Sequence, residues 1–149
     1  VAPGLDGEIG RLGGDGRMVR FRDAAAPPPP ALPSGIDRRF KVYLAAPAWF
    51  GGGRLPAFLD GGEGTWPGTG VRVRLVGCAL AAASGVGGWD LKRQAPRPMR
   101  RVVGSGSIYF FEAIDGGAAE VAARLHGNTF CDDPDMARAG FGLAFAGRW

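Results

Sequence analysis

Residues 88–112, GWDLKRQAPRPMRRVVGSGSIYFFE, restrict the fold more than any other stretch of this chain. Pro96 and Pro98 each drive the preceding residue out of the helical region, so the segment cannot lie along a helix face. It reads instead as an extended loop that bends at Gly104 and Gly106 and runs into an aromatic strand, Ser107 to Glu112. Lys92, Arg93, Arg97, Arg100 and Arg101 fall between Lys92 and Phe111, and no acidic residue does. The whole chain carries +4, so its basicity is concentrated here. Guanidinium groups on an extended loop suit an anionic partner, because the planar fork grips a phosphate through two parallel hydrogen bonds. The plainer alternative is a solvated charged loop.

Elsewhere the chain alternates with the period of strands. Val19 and Phe21 oppose Arg20 and Arg22, and Phe40, Val42 and Leu44 oppose Lys41 and Tyr43. The run 71–80 places Arg72 and Arg74 on one face. In 107–112 the expectation is Ile108 and Phe110 inward, with Tyr109 and Phe111 on the other side. In the last run Phe141, Leu143 and Phe145 oppose Gly142, Ala144 and Ala146, which leaves one side nearly bare backbone. Only 118–125 has helical spacing, with Val121 and Leu125 on one face and Gly127 as its stop. Sheet pieces with a late helix before the closing strand predict an α+β fold, an antiparallel sheet open on one face. Were Arg20, Arg22, Lys41, Tyr43, Arg72, Arg74 and Tyr109 to share that face, it would be basic with interleaved aromatics, a surface suited to single-stranded RNA.

A length of 149 residues predicts one domain, 1–149, with residues 24–35 as a stiff proline-rich spacer inside it. Gly13 and Gly14 read as a turn. Trp49, Phe50 and Trp66 lie in a glycine-broken loop, where they either stack on bases or pack as a cluster beneath it. No signal-peptide pattern is visible, and the longest uncharged run, 75–89, is too short and too broken to span a bilayer. Cys78 and Cys131 lack metal-ligand spacing, and Cys78 is expected to be buried and inert. A cytoplasmic protein without a cofactor follows. Asp132, Asp133 and Asp135 could hold a metal, but a broken loop is the simpler expectation.

Segment 88–112 also resembles the third subunit of the type III-B (Cmr) CRISPR effector complex, in the RAMP superfamily. The pattern is Gly88-Trp89-Asp90, a proline-containing basic segment from Pro96 to Arg101, then Val103-Gly104-Ser105-Gly106-Ser107-Ile108-Tyr109-Phe110-Phe111-Glu112. RLGGDGRMVRF, FKVYLAAPAWFGGGRLP and the glycine-rich GFGLAFAGRW agree with the same family. Ser105-Gly106 departs from it, standing where the family often has Pro-Ala-Gly. The resemblance implies a ferredoxin-like (RRM-related) RAMP domain with long loop insertions, which binds the 5′ repeat-derived tag of the guide RNA and caps that end of the complex. The implied neighbours are a large Cas10-type subunit and the backbone RAMP subunits, and the implied role is not that of the target nuclease. Family members usually have two such domains, and only the C-terminal one is represented in 1–149.

The RNA-binding residues expected on this basis are Lys92, Arg93, Arg97, Arg100 and Arg101 on phosphates, with Trp89 or Tyr109 stacking on a base. Gly140 and Gly142 would let the RNA backbone approach main-chain N–H groups. Trp89 as a core anchor and the glycines as packing residues are the competing expectations. The enzyme alternative is a metal-independent endoribonuclease that processes guide RNA, with His126 as general acid or base at a 2′-hydroxyl. Against it, a cation at the end of a helix is well placed to serve the dipole. A secreted sugar-binding β-module fits the local basic cluster least.

Overall fold

The computed structural model describes residues 4–12, 15–25 and 28–149, so the Gly13-Gly14 turn and residues 26 and 27 of the spacer lie outside the described residues. β1 (Ile9–Leu12) and β2 (Arg17–Arg20) form an antiparallel hairpin of their own. β3 (Arg39–Leu44), β4 (Glu63–Thr65) and β5 (Arg72–Ala79) follow the spacer. An inserted arm holds β6 (Ser84–Val86), β7 (Trp89–Asp90), β8 (Ala95–Pro96) and β9 (Arg100–Val102). Next come β10 (Ile108–Ala113), α1 (Ala118–Leu125), β11 (Asn128–Thr129), α2 (Pro134–Arg138) and β12 (Leu143–Gly147). The main sheet runs β11-β12-β3-β10-β5-β4, with every neighbouring pair antiparallel. The fold is α+β, as the alternation predicts, and among the described residues no helix is long and apolar enough to cross a membrane.

One sheet face is covered and the other is open. Phe40, Val42 and Leu44 of β3 are completely buried, as their alternation with Lys41 and Tyr43 requires. Over them lie α1, with Val121, Ala122 and Leu125 buried, and the loop 45–62. The loop aromatics belong to this core: Phe50 and Trp66 are buried, and Trp66 stacks on Phe130 at 5.3 Å while meeting Phe40 and Phe111 edge-on. Burying a ring of this size removes so much apolar surface from water that truncation to alanine costs roughly 3–5 kcal/mol. Packing, not base stacking, accounts for Phe50 and Trp66.

One facing expectation is reversed, and in the last strand the structure decides which side is covered. In β10 the inward residues are Tyr109, Phe111 and Ala113, while Ile108 and Phe110 face outward and Trp149 packs edge-on against Phe110 at 5.1 Å. In β12 the inward residues are Ala144 and Ala146, because α1 lies directly on this strand and only small side chains let the two backbones approach. Phe145 therefore points outward, opposite Tyr43. Cys78 is exposed rather than buried. β4 pairs with Arg72–Arg74 and the Gly62 carbonyl accepts from the Leu75 N–H at 2.8 Å, so among the described residues strand β5 is an edge beyond Leu75, and it bulges at Val76, where Phe110 pairs with Gly77 and Phe111 with Leu75.

Candidate nucleic-acid interface

The basic stretch is not an irregular loop but a hairpin arm inserted between β5 and β10. Its root is the β6–β9 ladder, with Gly85 opposite Arg101 and Val86 opposite Arg100, and its outer half is the β7–β8 pair, with Trp89 opposite Pro96. Proline cannot donate to a ladder, so the bond beyond it comes from the Arg97 N–H to the Gly88 carbonyl at 2.8 Å. The tip is closed by Asp90, whose Oδ1 accepts from the Lys92 and Arg93 N–H groups at 3.0 Å each. The exposed Met99 lays its thioether against the bare backbone of Gly85 and Gly87. Glycine, proline and one thioether thus build a rib with no core of its own.

Among the described residues the arm is fastened only at its root. Val102 and Val103 are buried, and Val103 exchanges hydrogen bonds with Ala48 at 3.0 and 2.8 Å. Arg100 lies over the Trp49 ring at 4.8 Å and pairs with Asp133, the N-cap of α2, whose carboxylate also accepts from the Asp135 and Met136 N–H groups. The Arg100 guanidinium, with the Met136 N–H behind it, holds the Asp133 carboxyl below the usual carboxylate range. Asp133 therefore starts a helix, which accounts for the Asp-Asp-Pro-Asp sequence. Among the described residues no cluster of His, Cys, Asp or Glu could hold a metal.

Of the expected site residues, Lys92, Arg93, Arg97 and Arg101 are exposed on the arm, and among the described residues none forms an ion pair. Trp89 is 52% exposed on the same arm, so it is not a core anchor. Arg100 departs from the expectation, because its charge is spent on Asp133. Tyr109 departs further: it is wholly buried among Phe50, Phe111 and Phe130, and burial pushes its hydroxyl pKa well above the usual tyrosine value. No base can reach it.

The family comparison can now be set beside this geometry. Residues 2–149 match the model of the CRISPR-associated protein family Cas_Cmr3. The chain belongs to that family. It is accordingly a type III-B CRISPR effector subunit, which agrees with the resemblance carried by residues 88–112. No curated protein matches it.

In this member of the Cas_Cmr3 family the glycine-rich terminal element is a packing device. The N–H groups of Gly140, Phe141 and Gly142 donate to Ala137, Met136 and Pro47, so none is free for an RNA backbone. A Cβ at Gly142 would sit 2.5 Å from the Phe130 carbonyl oxygen, at a φ of +78°, so only glycine fits there. His126 is equally occupied: Nε2 lies 2.8 Å from the Pro30 carbonyl, and Nδ1 accepts from the Ala146 N–H at 3.2 Å. It ties the proline-rich segment to the sheet. Nothing in the sequence pointed to Trp49 and Asp133 as partners of Arg100. A cation and a carboxylate 33 positions apart leave no local signal.

Proposed function

We propose that this chain is a non-catalytic guide-RNA-binding subunit that takes the 5′ repeat-derived tag along its arm and caps that end of a type III-B effector. The observation that carries this reading is the arm itself, on which Lys92, Arg93, Arg97 and Arg101 stand exposed with no carboxylate partner among the described residues. Unpaired cations on a rib attract a polyanion strongly, and Trp89 beside them offers a ring on which a base can stack. The strand order β12-β3-β10-β5, with α1 between β10 and β12, supports a ferredoxin-like RAMP domain in which a loop replaces the first crossover helix. The neighbours are a large Cas10-type subunit and backbone subunits, and the compartment is the cytoplasm.

A salt titration of binding to a single-stranded RNA with a repeat-derived 5′ end tests the proposal. Each neutralised phosphate contributes roughly 0.7 to the log–log slope on a single strand, so Lys92→Ala, Arg93→Ala and Arg97→Ala together remove about 2. An unchanged slope would place the RNA elsewhere. The RNA stays intact throughout, and metal-independent cleavage abolished by His126→Ala would instead establish the nuclease.

A further inference from the structure

Among the described residues the main sheet ends on one side at β11, the outermost strand in the order β11-β12-β3-β10-β5-β4. Asn128 pairs with Ala144, and the Phe130 N–H donates to the Gly142 carbonyl at 2.7 Å, so the main-chain groups of these two alternate residues face β12. Those of Thr129 and Cys131 therefore face outward. Natural sheets guard an open edge with charge or proline, and 127–131 holds neither. Beside this edge lies a cavity of about 390 Å³ that none of the expected RNA-binding residues lines. Arg124, Thr129 and Asp132 give it polar walls, and the half-buried Phe58 and exposed Pro67 give it an apolar one.

Both charged walls are held in place. Asp132 Oδ2 accepts from the Gly51 and Ala57 N–H groups at 2.9 Å each, which pins the carboxylate to the loop 45–62. The Asp132 N–H donates to the Trp49 carbonyl at 3.0 Å, and the Cys131 thiol donates to the same oxygen at 3.4 Å. At the other end, the Arg124 carbonyl accepts from the Asn128 side chain at 2.7 Å, and its guanidinium lies against the bare backbone of Gly68. Neither Arg124 nor Asp132 joins an ion pair among the described residues. The edge thus has a cation at its start and a carboxylate just past its end.

A polyanion gains at Arg124 what it loses at Asp132, so this charge pattern does not suit nucleic acid. A polypeptide strand supplies everything the edge lacks: main-chain partners, both signs of charge and an apolar side chain. We propose that β11 takes up an extended segment of a partner protein as a further antiparallel strand, its central apolar side chain seated in the cavity against Phe58 and Pro67. A basic residue two positions before that side chain meets Asp132, and an acidic one two positions after it meets Arg124, because a period of two puts all three on one face. Strand addition of this kind draws affinity from main-chain bonds and selectivity from the pocket beside them. The inference stands apart from the RNA-binding reading of the arm.

The test uses the isotope-labelled 149-residue chain and an end-capped heptapeptide of threonines with lysine second, phenylalanine fourth and glutamate sixth, beside a control with the lysine and glutamate exchanged. The first peptide should shift the amide resonances of Thr129 and Cys131 and bind about threefold to tenfold more tightly than the control, as two partly exposed ion pairs would. Thr129→Pro removes the outward N–H but leaves Asn128 and Phe130 bonded to β12, so it should weaken binding about tenfold and hardly move the melting temperature. Should that variant not fold, Asp132→Asn decides: it keeps the oxygen that holds Gly51 and Ala57, and it should weaken the first peptide about threefold while strengthening the control. Equal affinity of the two peptides, or shifts confined to other residues, overturns the proposal. A single-stranded RNA that moves the Thr129 and Cys131 resonances overturns it as well, and so does a chain that dimerises alone in sedimentation and is made monomeric by Thr129→Pro.

Discussion

The arm and the open face of the main sheet are both cationic and both carry exposed aromatics, yet they dispose of their charges in opposite ways. On the sheet, Arg72 and Arg74 converge on Glu63, and Arg38 and Arg39 on Glu112. Strand register dictates this, because Glu63 stands directly opposite Arg74, and Glu112 opposite both Arg74 and Arg39. Arg39 also lies over Trp149 at 5.2 Å. On the arm, the one acid is Asp90, and it is spent on closing the turn. A cation is therefore available to a partner according to whether a carboxylate lies within its reach, across the ladder as for Arg74 or from another element as for Arg100, not according to how many cations its strand carries.

The largest expected effect tests that contrast directly. Replacing Lys92, Arg93 and Arg97 by alanine should lower affinity for single-stranded RNA by about a hundredfold at low salt, since each removes an unpaired phosphate contact. Replacing Arg39, Arg72 and Arg74 should change it less than about threefold, because those charges are already partnered. Filter binding of both triple variants reads the difference. Should Tyr43→Ala, on the sheet face, cost more than the arm triple, the comparison inverts and the sheet becomes the interface.

The contrast also marks where the sequence stops being informative. β3 was legible because its apolar and polar residues alternate, and α1 because Val121 and Leu125 share a face. In β10 both faces are apolar, so a period of two locates the strand without saying which side is buried. In β12 the alternation located the strand without deciding its covered side: the closeness of α1 selects for size, and the alanines go in. The arm's composition revealed an extended basic segment. Its anchoring did not show, because Arg100 meets Trp49 and Asp133 only after the chain has folded.

That anchor supplies the next effect. Arg100→Ala should leave the global unfolding midpoint nearly unchanged, speed hydrogen exchange across 84–102, and weaken RNA binding roughly threefold to tenfold, since a loose arm must be ordered on binding. Asp133→Asn should do the same, although Asp133 lies off the arm, at the start of α2. The pH dependence has a definite sign. A carboxyl whose folded pKa is lowered contributes stability that is fully present above the unfolded value of about 3.9 and lost as pH falls through the folded one. Fast exchange in 84–102 should thus appear only in acid, below about pH 4, and be absent at neutrality. Protection that holds there would detach the arm's order from this pair.

The smallest effect comes from unpairing the sheet. Glu63→Gln leaves the backbone pairing of β4 with β5 intact but removes the carboxylate that raises the Arg74 pKa through its hydrogen bond and its charge. Both partners are exposed, so thermal stability should hardly move. The freed Arg72 and Arg74 would then resemble the arm's cations, and RNA affinity should rise about twofold, with a steeper salt dependence. A rise of tenfold or more would mean that the RNA already runs close to the sheet and that Glu63 had been repelling it. No rise at all, with the arm triple still crippling, would confine the RNA to the arm and its root, since released charges matter only to a polyanion within a screening length of them.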